Sequence, residues 1–269
     1  MNDIGNSSDT SGKKIFFLCP TPTVQNKVVT DLAQQEYEVY IAKDKDSLGQ
    51  ILKKYQNSVV FLDINEELPE KEWEAWVTEK MNSPQTKEVS FGIVTSNEDE
   101  QIKRKYLMSL KVPCGYTVVK VDLEKVLSHI FEVLQVQKAK GRRKYIRATI
   151  GKDSNTTVNL PYNGIFFKGK IIDISATGIA CVFESDPDIA KNTLIKDIQM
   201  RIQGSIMKVE GIVFGSRMVD EKKVYVLIFT HHVDHGIRSK IRKYIQQNLQ
   251  KKMDVELNSA VDRRYSAYY

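Results

Sequence analysis

The sequence predicts two domains of different class: a doubly wound α/β domain, then a small antiparallel β-barrel followed by a helix. Three observations predict this. Apolar strand-like runs alternate with amphipathic stripes as far as residue 138, the pattern of a parallel sheet covered on both faces. From Tyr145 to Thr230 short strand-like segments and turns follow, with almost no helical periodicity, as in a small barrel. Charge changes at the same place: residues 1–138 hold 17 Lys/Arg against 21 Asp/Glu, a balance of −4, and residues 139–269 hold 23 against 13, a balance of +10. At 269 residues the chain is long enough for two cores.

The elements can be justified in order. Lys14-Ile-Phe-Phe-Leu-Cys19 is a short apolar run ended by Pro20 and Pro22. A helical stripe of Val24, Val28 and Leu32 leads to the strand Tyr37–Ile41, and a second stripe, Leu48, Ile51, Leu52 and Tyr55, to the strand Ser58–Asp63. Residues 69–81 read as a helix carrying Trp73 and Trp76. The strand Val89–Thr95, a helix holding Ile102, Tyr106 and Leu110, and the strand Gly115–Val121 follow. Asp122 is placed to cap a helix whose face is Leu123, Val126, Leu127, Ile130 and Leu134.

Past a basic stretch at Gln135–Gly141 the period changes to two. In Asp197-Ile-Gln-Met-Arg-Ile-Gln203, Ile198, Met200 and Ile202 face one way and the polar residues the other. Lys208–Phe214 and Lys223–Phe229 are further strands, with turns at Gly204-Ser205 and Asp220-Glu221. Asp234 can cap a helix striped by Ile237, Ile241, Ile245 and Leu249. The resulting domains are 14–138 and 139–252, with a disordered polar lead at 1–13 and a flexible tail at 253–269.

Several function classes are disfavoured. No run of eighteen apolar residues occurs, so no transmembrane helix is expected, and Met1–Lys14 lacks the apolar core of a secretory signal. Cys19, Cys114 and Cys181 are odd in number and lie in apolar surroundings, which suits reduced thiols in a cytoplasmic protein. His231-His-Val-Asp-His235 has no further metal ligand evident in sequence. Gly211-Ile-Val-Phe-Gly215 lies within strand texture, so no glycine-rich phosphate loop is present. No Ser/His/Asp or Cys/His arrangement can be nominated. The expectation is a protein without catalytic residues, metal or cofactor: a binding protein and not an enzyme.

Two segments carry the chemistry. Lys140-Gly-Arg-Arg-Lys-Tyr-Ile-Arg147 leads into the barrel, and Ile171-Ile-Asp-Ile-Ser-Ala-Thr-Gly178 begins its motif 26 residues after Arg147. Asp173 and Ser175, two apart on a strand, share one face about 6.5 Å apart. Gly178 would supply a permissive φ where the strand turns back. The basic segment alone reads as a solvated linker, and the second alone as a hairpin corner.

Together, RxxxR at Arg143–Arg147 and DxSxxG at Asp173–Gly178 resemble the PilZ family over residues 139–252. The resemblance implies a bacterial receptor for the second messenger cyclic di-GMP, with outputs in motility or virulence. By that resemblance Arg143 and Arg147 clasp phosphate and the O6/N7 edge of guanine, chemistry suited to a guanidinium and not to lysine. Asp173 accepts guanine N–H donors, Ser175 adds a hydroxyl contact and Gly178 leaves room for the base. Arg142, just before the first motif arginine, is the feature that in the family goes with a stacked pair of ligands. Binding would order the linker and change how the domains face each other.

The first half resembles a response-regulator receiver of flavodoxin-like fold over residues 14–138. Asp63, Thr95 and Lys120 stand at the ends of the third, fourth and fifth strands, where receivers carry the phospho-acceptor, hydroxyl and lysine. Receivers also place an acidic pair after the first strand to hold Mg²⁺; here that place reads Cys19-Pro20-Thr21. Without those carboxylates a hard cation has little to bind, and the expectation is an inactive pseudo-receiver that contacts a protein partner. Two rivals remain: a basic nucleic-acid-binding regulator, which gives Asp173 and Ser175 no role, and a regulator phosphorylated at Asp63.

Overall fold

The computed structural model describes residues 12–65, 67–120, 122–151 and 155–265. The expected disordered lead lies outside the described residues except at Gly12 and Lys13. The chain forms two compact units, one of residues 1–144 and 249–269, the other of residues 145–248.

The first unit is built on five parallel strands: β1 (Lys14–Leu18), β2 (Val39–Ala42), β3 (Ser58–Leu62), β4 (Ser90–Thr95) and β5 (Tyr116–Val118). Their order, β2-β1-β3-β4-β5, is the flavodoxin-like doubly wound arrangement expected from sequence. A π-helical stretch, Val24–Val29, runs into α1 (Thr30–Gln34); α2 (Lys45–Lys54) and α3 (Glu70–Asn82) follow. Next, α4 (Glu100–Arg104) continues as a second π-helical stretch, Lys105–Ser109, and α5 (Leu123–Val136) ends the series. Asp122 caps α5, its carboxylate accepting from the Lys125 amide at 3.3 Å.

The strands are mostly apolar because both sheet faces are buried. Phe16, Leu18, Val60 and Leu62 point into one layer with Trp73, Trp76, Phe91 and Tyr106. Ile15, Phe17, Val59 and Phe61 point into the other, against Val28, Leu32, Ile130 and Leu134. All three cysteines are free and buried, and burial pushes the Cys114 thiol up to about 12.

The second unit is antiparallel. Strands β7 (Thr157–Tyr162), β8 (Ile165–Ser175), β9 (Gly178–Phe183), β10 (Leu194–Ile202), β11 (Ser205–Val219) and β12 (Lys222–Phe229) run in the order β8-β7-β10-β11-β12-β9 and close through β8–β9 pairing. A short strand, β6 (Arg147–Thr149), takes the edge of β8 beyond the end of β7. The alternation at 198–202 is as expected, with Ile198, Met200 and Ile202 inside. The turn at Asp220 (φ 44°) and Glu221 (φ 62°) forms where expected, whereas the one expected at Gly204-Ser205 falls a residue earlier, at Gln203 (φ 49°) and Gly204 (φ 80°), with Ser205 already in β11.

The final helix, α6 (His235–Tyr265), is longer than the sequence reading allowed. The tail expected at 253–269 is helical as far as Tyr265; its last four residues lie outside the described residues. Within the second unit, Ile241, Tyr244 and Ile245 are buried and Tyr244 pairs with Thr156 at 2.9 Å. Residues from Leu249 onward belong to the first unit, where Met253 and Leu257 enter its core. There Gln250 accepts from the Ile41 amide and donates to its carbonyl, both at 2.8 Å, covering the open edge of β2. No helix among the described residues is long and apolar enough to cross a membrane.

Candidate functional site

Register brings the motif residues together. Gly178 on β9 lies opposite Ser175 on β8, and Ser175 lies opposite Arg147 on β6. One place along, Ala180 lies opposite Asp173 and Asp173 opposite Thr149. Residues facing each other across antiparallel strands share a face, so Arg147, Ser175 and Asp173 occupy one patch on the outside of the barrel. A bulge between Ile171 and Asp173 sets this phase.

Arg147 therefore corrects one expectation. It is the first residue of a barrel strand and not part of a linker. Only Arg142 and Arg143 precede the barrel, on irregular, exposed backbone in the first unit. Among the described residues the side chains of Arg143 and Arg147 make no hydrogen bond or ion pair.

The hydroxyl of Ser175 is engaged in the corner between β8 and β9. It accepts from the Thr177 amide at 3.3 Å, reaches the Gly178 carbonyl at 3.3 Å and lies 3.4 Å from the Thr177 hydroxyl. Gly178 is needed for a different reason from the one read in sequence: its φ is not positive. A Cβ there would stand 2.4 Å from the Leu227 carbonyl oxygen, so the close approach of β9 to β12 is what demands glycine.

One supporting residue escaped sequence reading. Arg238, in the first turn of α6, donates to the carbonyls of Thr230 at 2.8 Å, Val233 at 3.3 Å and Ala176 at 3.5 Å. It ties the 175–178 corner to the helix, while the Thr177 carbonyl, accepting from the Phe229 amide at 2.8 Å, ties the same corner to the end of β12. An arginine four residues after an N-cap, here Asp234 accepting from Ile237 at 3.2 Å, carries no distinctive sequence signal.

In the first unit, Asp63 and Thr95 do meet: the threonine hydroxyl donates to Asp63 Oδ1 at 2.7 Å, and the Asn65 amide does so at 3.0 Å. Asp63 is only 2% exposed, and its Oδ2 is buried without a partner among the described residues. Burial pushes its carboxyl above the ordinary range, against those two hydrogen bonds. Lys120 does not join them. The fifth strand stops at Val118 and Lys120 pairs with Glu98 at 2.9 Å, out in solvent. Val121, the expected end of that strand, lies outside the described residues. Cys19 directs its thiol to the Lys43 carbonyl at 3.4 Å, and no group of three potential metal ligands exists among the described residues.

Comparison with protein families matches residues 141–247, which hold the barrel and its entering segment, to the PilZ domain. Among solved structures, the PilZ domain with c-di-GMP of YcgR from Escherichia coli is 12% identical, with a TM-score of 0.37; the match covers 42% of this chain and 98% of that one. The PlzA protein of Borreliella burgdorferi in complex with c-di-GMP is 18% identical, with a TM-score of 0.29, covering 45% of this chain and 48%, about half, of PlzA. A signal receiver domain of an HD domain-containing protein from Pseudomonas fluorescens Pf-5 is 13% identical, with a TM-score of 0.40, covering 51% of this chain and 96% of that one. Comparison with curated proteins gives no match.

Proposed function

We propose that the protein is a non-enzymatic receptor for cyclic di-GMP, bound through Arg142, Arg143, Arg147, Asp173, Ser175 and Gly178. The observation that carries this reading is the register of Arg147 against Ser175 and Thr149 against Asp173 within the residues matched to the PilZ domain. It sets a guanidinium beside a carboxylate on one exposed face, the pairing needed for a ligand with anionic phosphates and guanine edges that both donate and accept.

Arg143 is four residues before Arg147 and can lie no more than about 14 Å away along an extended chain. The ligand would draw residues 140–146 onto the barrel face, ordering them and altering the relation of the two units. Arg142 supports a stacked pair of ligands. The output would be control of motility or virulence functions through a protein partner of the first unit. That unit acts without phosphorylation, since Asp63 is buried and Lys120 is turned to Glu98.

Calorimetry tests the reading. Wild type should bind cyclic di-GMP with two ligands per chain, and Arg147→Ala and Arg143→Ala should each weaken binding at least a hundredfold. No heat with the wild type would overturn it. Polynucleotide affinity that falls steeply with salt, with no dinucleotide binding, would support the nucleic-acid reading of the +10 charge on residues 139–269.

A further inference from the structure

The outer face of the barrel beside the motif is apolar, and the sheet register leads to it directly. Gly178 lies opposite Ile228 on β12, and Ile228 lies opposite Ile212 on β11. The parallel row runs from Asp173 to Ala180 and on to Val226. Ile228 is 42% exposed and Ile212 38%, while their neighbours along the strands, Val213, Leu227 and Phe229, fill the interior. Phe214, two residues beyond Ile212, is 56% exposed on the same side. Isoleucines on the solvent side of a strand are poorly accounted for by folding, since their partners inside already make the core.

We propose that Ile228, with Val226 and Ile212, forms the floor against which a guanine face of the bound dinucleotide packs. This rests on the cyclic di-GMP reading above and names a part of that site outside its two motifs. Arginine and aspartate can satisfy the phosphates and the polar edge of a purine, but its two faces are apolar and need a surface of their own. Strand spacing puts Ile228 about 5 Å and Ile212 about 10 Å from Gly178, within the reach of a base anchored at Asp173 and Arg147. The missing side chain of Gly178 keeps the path between anchor and floor clear. Leu194 is the next residue in the row, opposite Ile212 and 48% exposed.

The test is a titration of the full chain with cyclic di-GMP, comparing Ile228→Ser, Ile212→Ser and the control Ile206→Ser. Ile206 is equally apolar and 60% exposed, near the far end of β11. Ile228→Ser should weaken binding about tenfold, the loss expected when a half-exposed isoleucine no longer covers a ligand, with Ile206→Ser unchanged. Ile228→Thr, which keeps the β-branch, serves if the serine variant does not fold.

Binding by both Ile228 variants within twofold of wild type, while Arg147→Ala abolishes it, would overturn the floor and leave the receptor reading standing. Absence of binding by the wild type itself would overturn both. A wild-type dimer in sedimentation that Ile228→Ser dissolves without loss of ligand affinity would assign the face to a second copy of the chain, against the proposal.

Discussion

Two residues show how burial overrides a plausible sequence role. Asp63 stands where a phospho-acceptor would, yet its second carboxylate oxygen is buried with no partner among the described residues, so charge there opposes folding. Its pKa is raised in the folded state; the stability this favours is present at low pH and is lost as pH rises through the raised value. Asp63→Asn removes that dependence. As pH falls from neutral toward the ordinary carboxylate range the wild-type melting temperature should rise relative to the variant; parallel pH profiles would contradict this. Gly178→Ala is expected to destabilise the barrel by about 1–3 kcal/mol, because its methyl would meet the Leu227 carbonyl; denaturant unfolding measures it. The glycine was legible in the sequence, but its reason was not, since close approach of β12 depends on a pairing with a strand about fifty residues away.

At the scale of elements, strands and helices with steady periodicity were legible: the continuous apolar strands of the first sheet, the alternation at 198–202, and the caps at Asp122 and Asp234. The length of α6 was not. Its apolar residues continue at intervals of four, Ile237 through Leu249 to Met253 and Leu257, and each interval advances the face by about 40°. Over the whole helix that drift removes any single apolar side, so the segment after Leu249 resembles a polar tail. The extension matters to β2, an edge strand whose exposed amide and carbonyl at Ile41 are satisfied by Gln250. Gln250→Ala should cost about 1–3 kcal/mol of stability and speed amide exchange at Ile41 in hydrogen-exchange measurements. In the barrel, Arg238→Met should loosen the corner it holds through Ala176, seen as faster exchange at Thr177 and Gly178 and a several-fold loss of cyclic di-GMP affinity.

For the molecule as a whole, the first unit is discontinuous: residues 1–144 and 249–269 make one body, and the barrel is spliced between them. A chain ended at Asn248 would lack Gln250, Met253, Glu256 and Leu257, which supply an edge cover, two buried side chains and a carboxylate bridging Lys54 and Tyr55. Removing two buried apolar side chains alone costs about 4–10 kcal/mol. The shortened chain should therefore lose the melting transition of its first unit, or show it more than ten degrees lower, while the barrel transition persists. Equal melting of the full and shortened chains would refute this.

The same splicing imposes an order in time. During synthesis residues 12–144 leave the ribosome before the barrel, but the turns of helix that finish their sheet follow only after the barrel has been made. The barrel can mature as a closed unit while the earlier-made half waits unfinished, so the half translated first is the last to reach its native state.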